Sequence, residues 1–162
     1  MRFAVVVVCV SSVAFAGSTT ANLGVSATVQ PGCSISTSPV AFGVYAPLST
    51  HASSPATANG TVSVTCTLGT AAVVTLGQGG SAGSGSTDAA PVRRLTDGSN
   101  FLSYALFRDM AMLLPWGNTT LTGIAHVGLG TQVGITVYGK LDAGQVVPAG
   151  SYTDTVVATV SF

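Results

Sequence analysis

The sequence predicts an all-β domain, and three observations predict it. Helix signals are nearly absent: the chain has no Glu, 6% charged residues, and a composition dominated by Ala, Gly, Val, Ser and Thr. Short β-rich runs alternate with Gly, Pro and Asn/Asp turns, the layout of a sandwich or barrel. Alternating apolar and polar residues occupy stretches near both ends, residues 21–30 and, with Val157 the exception on the polar face, residues 155–162.

Residues 1–16 read as a secretory signal peptide. Arg2 supplies the basic start, residues 3–10 an unbroken apolar run, and Ala14-Phe15-Ala16 a small-x-small site that puts cleavage between Ala16 and Gly17. The competing reading, a buried N-terminal strand, does not account for that three-part layout. The apolar run is too short to span a bilayer comfortably, so no membrane insertion is expected after cleavage. Cys9 lies in this segment and is expected to leave with it, because Val-Val-Cys lacks the small residues of a lipoprotein site.

Residues 17–162 suffice for one domain with a core. Four basic residues (Arg93, Arg94, Arg108, Lys140) stand against five Asp (Asp88, Asp97, Asp109, Asp142, Asp154), which leaves no electrostatic footprint for nucleic acid or anionic membranes. So few charges imply a surface buried against copies of itself or solvated by Ser, Thr and Gly. Cys33 and Cys66 remain once Cys9 is gone, and two cysteines in a small exported domain are expected to pair. Closing that loop would contribute about 3–4 kcal/mol by chain entropy. A zinc site is the alternative, but two cysteines without a nearby His fall short of a ligand set.

The elements follow in order. Ala21, Leu23, Val25, Ala27 and Val29 alternate with Asn22, Gly24, Ser26, Thr28 and Gln30, which predicts a strand with one buried side, ended by Pro31-Gly32. Residues 40–45 form a second short run. Residues 61–67 set Val62, Val64 and Cys66 on one face, and residues 71–76 follow after Gly69. Residues 77–86 are Gly/Ser-rich and read as a flexible loop. Residues 93–95 and 101–108 flank Asp97-Gly98 and predict a hairpin. Val133, Ile135 and Val137 mark a strand over residues 132–139. Residues 152–162 predict the last strand, with Val156, Ala158, Val160 and Phe162 on one face. An unpaired terminal strand invites another chain, so one end could supply a strand while the other demands one.

Several segments together resemble the spore coat protein U domain family, which includes subunits of archaic (Csu-type) chaperone–usher pili. They are Gly32-Cys33, Phe42-Gly43, Val62-Ser-Val-Thr-Cys66-Thr-Leu-Gly69, Arg93-Arg94-Leu95-Thr-Asp97-Gly98, Leu102-Ser-Tyr104-Ala-Leu106-Phe-Arg108-Asp109, Trp116-Gly117, Val137-Tyr138-Gly139 and Val147-Pro148-Ala-Gly150-Ser-Tyr152-Thr-Asp154-Thr-Val156. The resemblance covers essentially all of residues 17–162. It implies an immunoglobulin-like β-sandwich that lacks its final strand and is completed by donor-strand exchange. It divides the chain into a signal peptide (1–16), an N-terminal extension or donor strand running into the first strand (17–31) and the pilin domain (32–162). It implies Leu23, Val25, Ala27 and Val29 as the donated face, and Val156, Val160 and Phe162 on the strand beside the acceptor groove. It implies a periplasmic chaperone, an outer-membrane usher and neighbouring pilus subunits as partners, and passage through the periplasm to a surface fimbria. Two departures stand out. Met110, Met112, Leu113 and Leu114 are apolar where the family tends to be polar, and burial is expected for them. The 77–86 loop is also longer and richer in Gly than expected.

No constellation for catalysis appears. His51 and His126 lack metal-ligand spacing to a second ligand, and His51 is expected to be solvated. Ser63 and Thr65 have no base beside them. Arg108 with Asp109, and Asp154 near Tyr152, read as local pairs. Residues 77–83 lack the Lys and the helix of a phosphate loop. Trp116 is expected in packing beside Pro115 and Gly117 rather than in carbohydrate stacking. The reading is a structural pilus subunit serving surface adhesion and biofilm formation, with no enzymatic activity, cofactor or metal. The alternatives are a secreted non-polymeric spore-coat or matrix protein and a carbohydrate-binding module.

Overall fold

Inward-facing Val and Leu at every second position build the two central strands, and the rest of the domain is arranged around them. The computed structural model describes residues 16–162; the signal-peptide reading and Cys9 fall on residues outside these, apart from Ala16. The strands are β1 (Cys33–Ser38), β2 (Ala56–Cys66), β3 (Ala71–Leu76), β4 (Arg93–Thr96), β5 (Phe101–Phe107), β6 (Ile124–Val127), β7 (Val133–Leu141) and β8 (Ala158–Ser161). Among the described residues there is no helix.

Two antiparallel sheets result, ordered β1-β2-β7-β5-β4 and β6-β3-β8. The long β2–β7 pair runs from Ala56 opposite Leu141 to Val64 opposite Val133 and forms the backbone of the larger sheet. Val62, Val64 and Cys66 of β2, Val74 and Leu76 of β3, Leu102 and Leu106 of β5, and Leu141 of β7 meet between the sheets and are buried. The turn Thr67–Thr70 reverses the chain from one sheet to the other, closed by the Thr70 N–H on the Thr67 carbonyl.

The β4–β5 hairpin forms as the Asp97-Gly98 dipeptide predicts, with Leu95 opposite Leu102. Gly98 adopts φ 103°, which a side chain would disfavour. The Asp97 carboxylate accepts from the Ser99 and Asn100 backbone N–H groups and from Asn100 Nδ2. These bonds, the Asn100 and Ser99 amides first, hold its carboxyl down to about 2.

Four expectations are corrected. Residues 21–30 form no strand and bury no face, since no strand of the chain pairs with them. Residues 39–46 are not a strand either, although Val40, Phe42 and Tyr45 pack against the core. The 77–86 loop is pinned rather than free: Arg94 donates to the Ser81 and Ala82 carbonyls, and the Gly83 N–H donates to Val92. The last strand is shorter than its alternation, covering Ala158–Ser161 with one separate bridge at Thr153 to Thr96.

Candidate functional site

The two sheets meet differently on their two sides. Near β4 and β5 they are locked. Trp116 is 0% exposed, and its indole Nε1–H donates to the Val74 carbonyl at 3.0 Å. Arg93, 2% exposed, donates from Nη2 to the carbonyls of Leu76 (2.9 Å), Gly77 (2.6 Å) and Trp116 (2.8 Å). One guanidinium thus satisfies acceptors on β3 and on the Trp116 segment at once, which a Lys could not match in geometry. Burial pushes its pKa down from the ordinary value, with Tyr104 and Asp154 pulling it back up.

On the other side β1 and β8 form an open seam. β1 is bonded to β2 alone and β8 to β3 alone. Cα atoms of β1 and β8 approach within 8 Å, yet the two strands exchange no ladder. The inward residues Cys33 and Ile35 of β1, Ala158 and Val160 of β8, and Val156 just before β8 are only half-buried, whereas those of β2 and β3 are fully covered. A groove of about 310 Å³ runs along the seam between residues 37–40 and 154–158, floored by Val62, Leu76, Leu106 and Val137. It opens into a second hollow of about 790 Å³ between residues 40–49 and 147–154. Val40, Phe42, Leu95 and Asp154 line both.

Asp154 fixes the groove edge. Its Oδ2 accepts from the Tyr104 hydroxyl at 2.6 Å, and its Oδ1 accepts from the Gly80 and Ser81 N–H groups at 2.8 and 3.3 Å. Burial, then the bond to Asp154, pushes the Tyr104 phenol well above its ordinary range. Asp154 therefore pairs across the fold, and Tyr152, which donates to the Pro148 carbonyl, is not its partner. No group of three or more His, Cys, Asp or Glu able to hold a metal occurs among the described residues.

Residues 19–159 match the Spore Coat Protein U domain. The chain belongs to the Spore Coat Protein U domain family. A relative, "Protein U" of Myxococcus xanthus, is 43% identical over 159 residues, covering 93% of this chain and 89% of the relative. A crystal structure of the CsuC–CsuE chaperone–tip adhesion subunit pre-assembly complex, from archaic chaperone–usher Csu pili of Acinetobacter baumannii, aligns with a TM-score of 0.60 at 27% identity. That alignment covers 83% of this chain and 40% of the other, so this chain spans about two-fifths of its length. The family and the fold are structural, not enzymatic.

In this spore coat protein U domain the residues singled out from sequence fall into three places. Cys33 and Cys66 are disulfide-bonded and lie opposite each other in the β1–β2 register. Leu23, Val25, Ala27 and Val29 stand on the arm before β1, all exposed, with Leu23 at 88%. Val156 and Val160 line the seam half-buried, and Phe162, at its end, is exposed. The disulfide sits where the arm begins, and the Gly32 carbonyl there accepts from the Thr67 N–H at 2.9 Å. The arm's root is thereby anchored while its alternating face is left without a partner.

Other residues of the site escaped the sequence reading. Val40 and Phe42 fill a trough made by Gly60 and Gly139, where a Cβ would collide with Val40. Gly139 within the Val137-Tyr138-Gly139 segment was the available sign. Arg93 and Asp154 carried no sign of their long-range partners. Trp116 is buried, which removes a stacking surface for carbohydrate. Met110 (80% exposed), Leu113 and Leu114 are not buried as expected. Asp109 accepts from the Leu113 and Leu114 N–H groups and folds these residues into a tight outward loop. Arg108 donates to the Leu121 and Gly123 carbonyls rather than to Asp109. His51 is half-buried, stacked on Tyr45 at 5.0 Å, and accepts the Ala46 N–H.

Proposed function

We propose that this protein is a subunit of a chaperone–usher pilus that polymerises by donor-strand exchange. The observation that carries the reading is a complementary pair within one chain. An exposed arm has apolar residues at every second position (Leu23, Val25, Ala27, Val29), and an open seam has half-buried apolar residues at the same spacing (Val156, Ala158, Val160). Inserted between β1 and β8, the arm of a neighbour would bond to the free edge of β8 and cover the groove floor. Each Leu or Val side chain so buried contributes about 1.5–3 kcal/mol before ordering costs. A one-residue slip would turn the apolar face outward, so register is enforced. Strands flanking a third lie about 9–10 Å apart, so insertion widens the seam where β1 and β8 are now closest.

A periplasmic chaperone would shield the same groove before assembly, and an outer-membrane usher would oversee the exchange. The pre-assembly complex of the Csu relative supports the first of these partners. The destination is a surface fimbria serving adhesion and biofilm formation. Deleting residues 17–29 tests this reading: fibres should be lost while the subunit still accumulates with its chaperone. Normal fibres from the deletion contradict it.

A second reading, a non-polymeric secreted coat protein, is favoured by the match to a family described as a spore coat domain. It predicts that the same deletion changes nothing about assembly.

A further inference from the structure

The geometry points to a second contact between successive subunits, made by apolar patches at opposite ends of the groove. It rests on the donor-strand reading and adds to it a surface outside the groove. Leu68, Val127 and Leu129 are exposed at the end of the domain where the arm leaves. They are neighbours there: the Gly69 N–H donates to the Gly128 carbonyl and the Gly128 N–H to that of Thr70. The same turn holds the arm's root through Thr67 and Gly32. At the opposite end Val44 and Leu48, 87% and 83% exposed, line the larger hollow, and Val146 is exposed beside it. Tyr45 joins these two loops, donating to the Asp142 carbonyl and accepting the Gln145 N–H.

Chain length brings the two patches together. From Val29, the last apolar residue of the arm, to Cys33 is a span of at most about 14 Å. A subunit that gives its arm must therefore stand close against the subunit that receives it. The receiving groove can be entered from either end. One end is where the receiver's own arm leaves, beside Gly32 and Thr67. Entry at the other end, past Val44 and Leu48, lets every subunit give and receive at once, and it lays the arm antiparallel to β8. The Leu68–Val127–Leu129 patch of the donor then faces the Val44–Leu48–Val146 rim of the receiver. The partner is a second copy of this chain, joined head to tail, an arrangement that propagates as a fibre. Apolar clusters of this kind mark interaction surfaces.

Cysteine pairs in fibres of the full chain test the contact. Leu129→Cys with Val146→Cys should, on mild oxidation, link neighbours into a ladder of covalent multimers. Leu68→Cys with Leu48→Cys should give the same ladder and serves if the first pair disturbs folding. Val29→Cys with Val156→Cys reports the arm in the groove. A ladder from that last pair with none from either surface pair overturns the end-to-end contact and leaves strand exchange standing. No ladder from any pair overturns both.

Discussion

Where β4 and β5 meet β3, the sandwich is sealed by Trp116 and Arg93, which between them satisfy the carbonyls of Val74, Leu76, Gly77 and Trp116. Where β1 meets β8, no ladder forms and the inward side chains stay half-buried. The two regions have similar strands and similar alternation. What separates them is whether the chain itself supplies the covering element. On the sealed side the segment through Trp116 crosses between the sheets. On the open side the nearest alternating segment, residues 21–29, is tied at its root and projects away. A sheet edge left in this state is a template for another strand. On the donor-strand proposal, the sealed side serves stability and the open side assembly.

Breaking the sealed side should have the largest effect. Trp116→Ala is expected to cost about 3–5 kcal/mol, read as loss of accumulated subunit and a lowered denaturant midpoint. If the variant keeps wild-type stability, the sealed side is not where the fold is held. A smaller effect sharpens the contrast on the open side. Val160→Ala should cost about 1.5 kcal/mol in a subunit whose groove is filled, and less than half of that in the unfilled subunit. Equal costs in the two states would mean that Val160 does not face the inserted strand. The smallest effect concerns the junction between the sides. Tyr104→Phe removes the hydroxyl bond to Asp154, with an expected loss of about 1 kcal/mol. The raised folded pKa of Tyr104 means the fold favours the neutral phenol. Its contribution is fully present below the ordinary tyrosine value near 10 and fades as pH rises above it. Wild-type stability should therefore fall on alkaline titration more steeply than that of the Tyr104→Phe variant. Parallel curves would remove Tyr104 from the account.

Much of this was legible in the residues. The alternation of Val62, Val64 and Cys66, the Asp97-Gly98 turn and the two-cysteine arithmetic placed β2, the β4–β5 hairpin and the disulfide, because each depends on local pattern or compartment. The arm misled for an instructive reason. Alternation records that one face is meant to be buried, and it does not say in which molecule. The 77–86 loop looked flexible because composition cannot show that Arg94 and Asp154, from distant segments, hold it. Met110–Leu114 looked buried because its residues are apolar, whereas the Asp109 carboxylate shapes the backbone that carries them outward. The seam was not legible from local pattern; only the family resemblance put Val156 and Val160 beside a groove. It is a property of two strands far apart in sequence, each with one neighbour.

On this proposal, residues 21–31 are the strand missing from the seam. Phe162 follows β8 directly, so a copy of these residues appended there through a short flexible linker would run back along β8. Thermal unfolding of that chain, with the original arm deleted, tests the claim most directly. The account predicts a monomer whose Tm lies at least about 10 °C above that of the arm-deleted chain without the appended strand. It also predicts loss of the gain when Val25 and Val29 of the copy are replaced by Asp. An unchanged Tm, or an equal gain from the Asp-bearing copy, would contradict it.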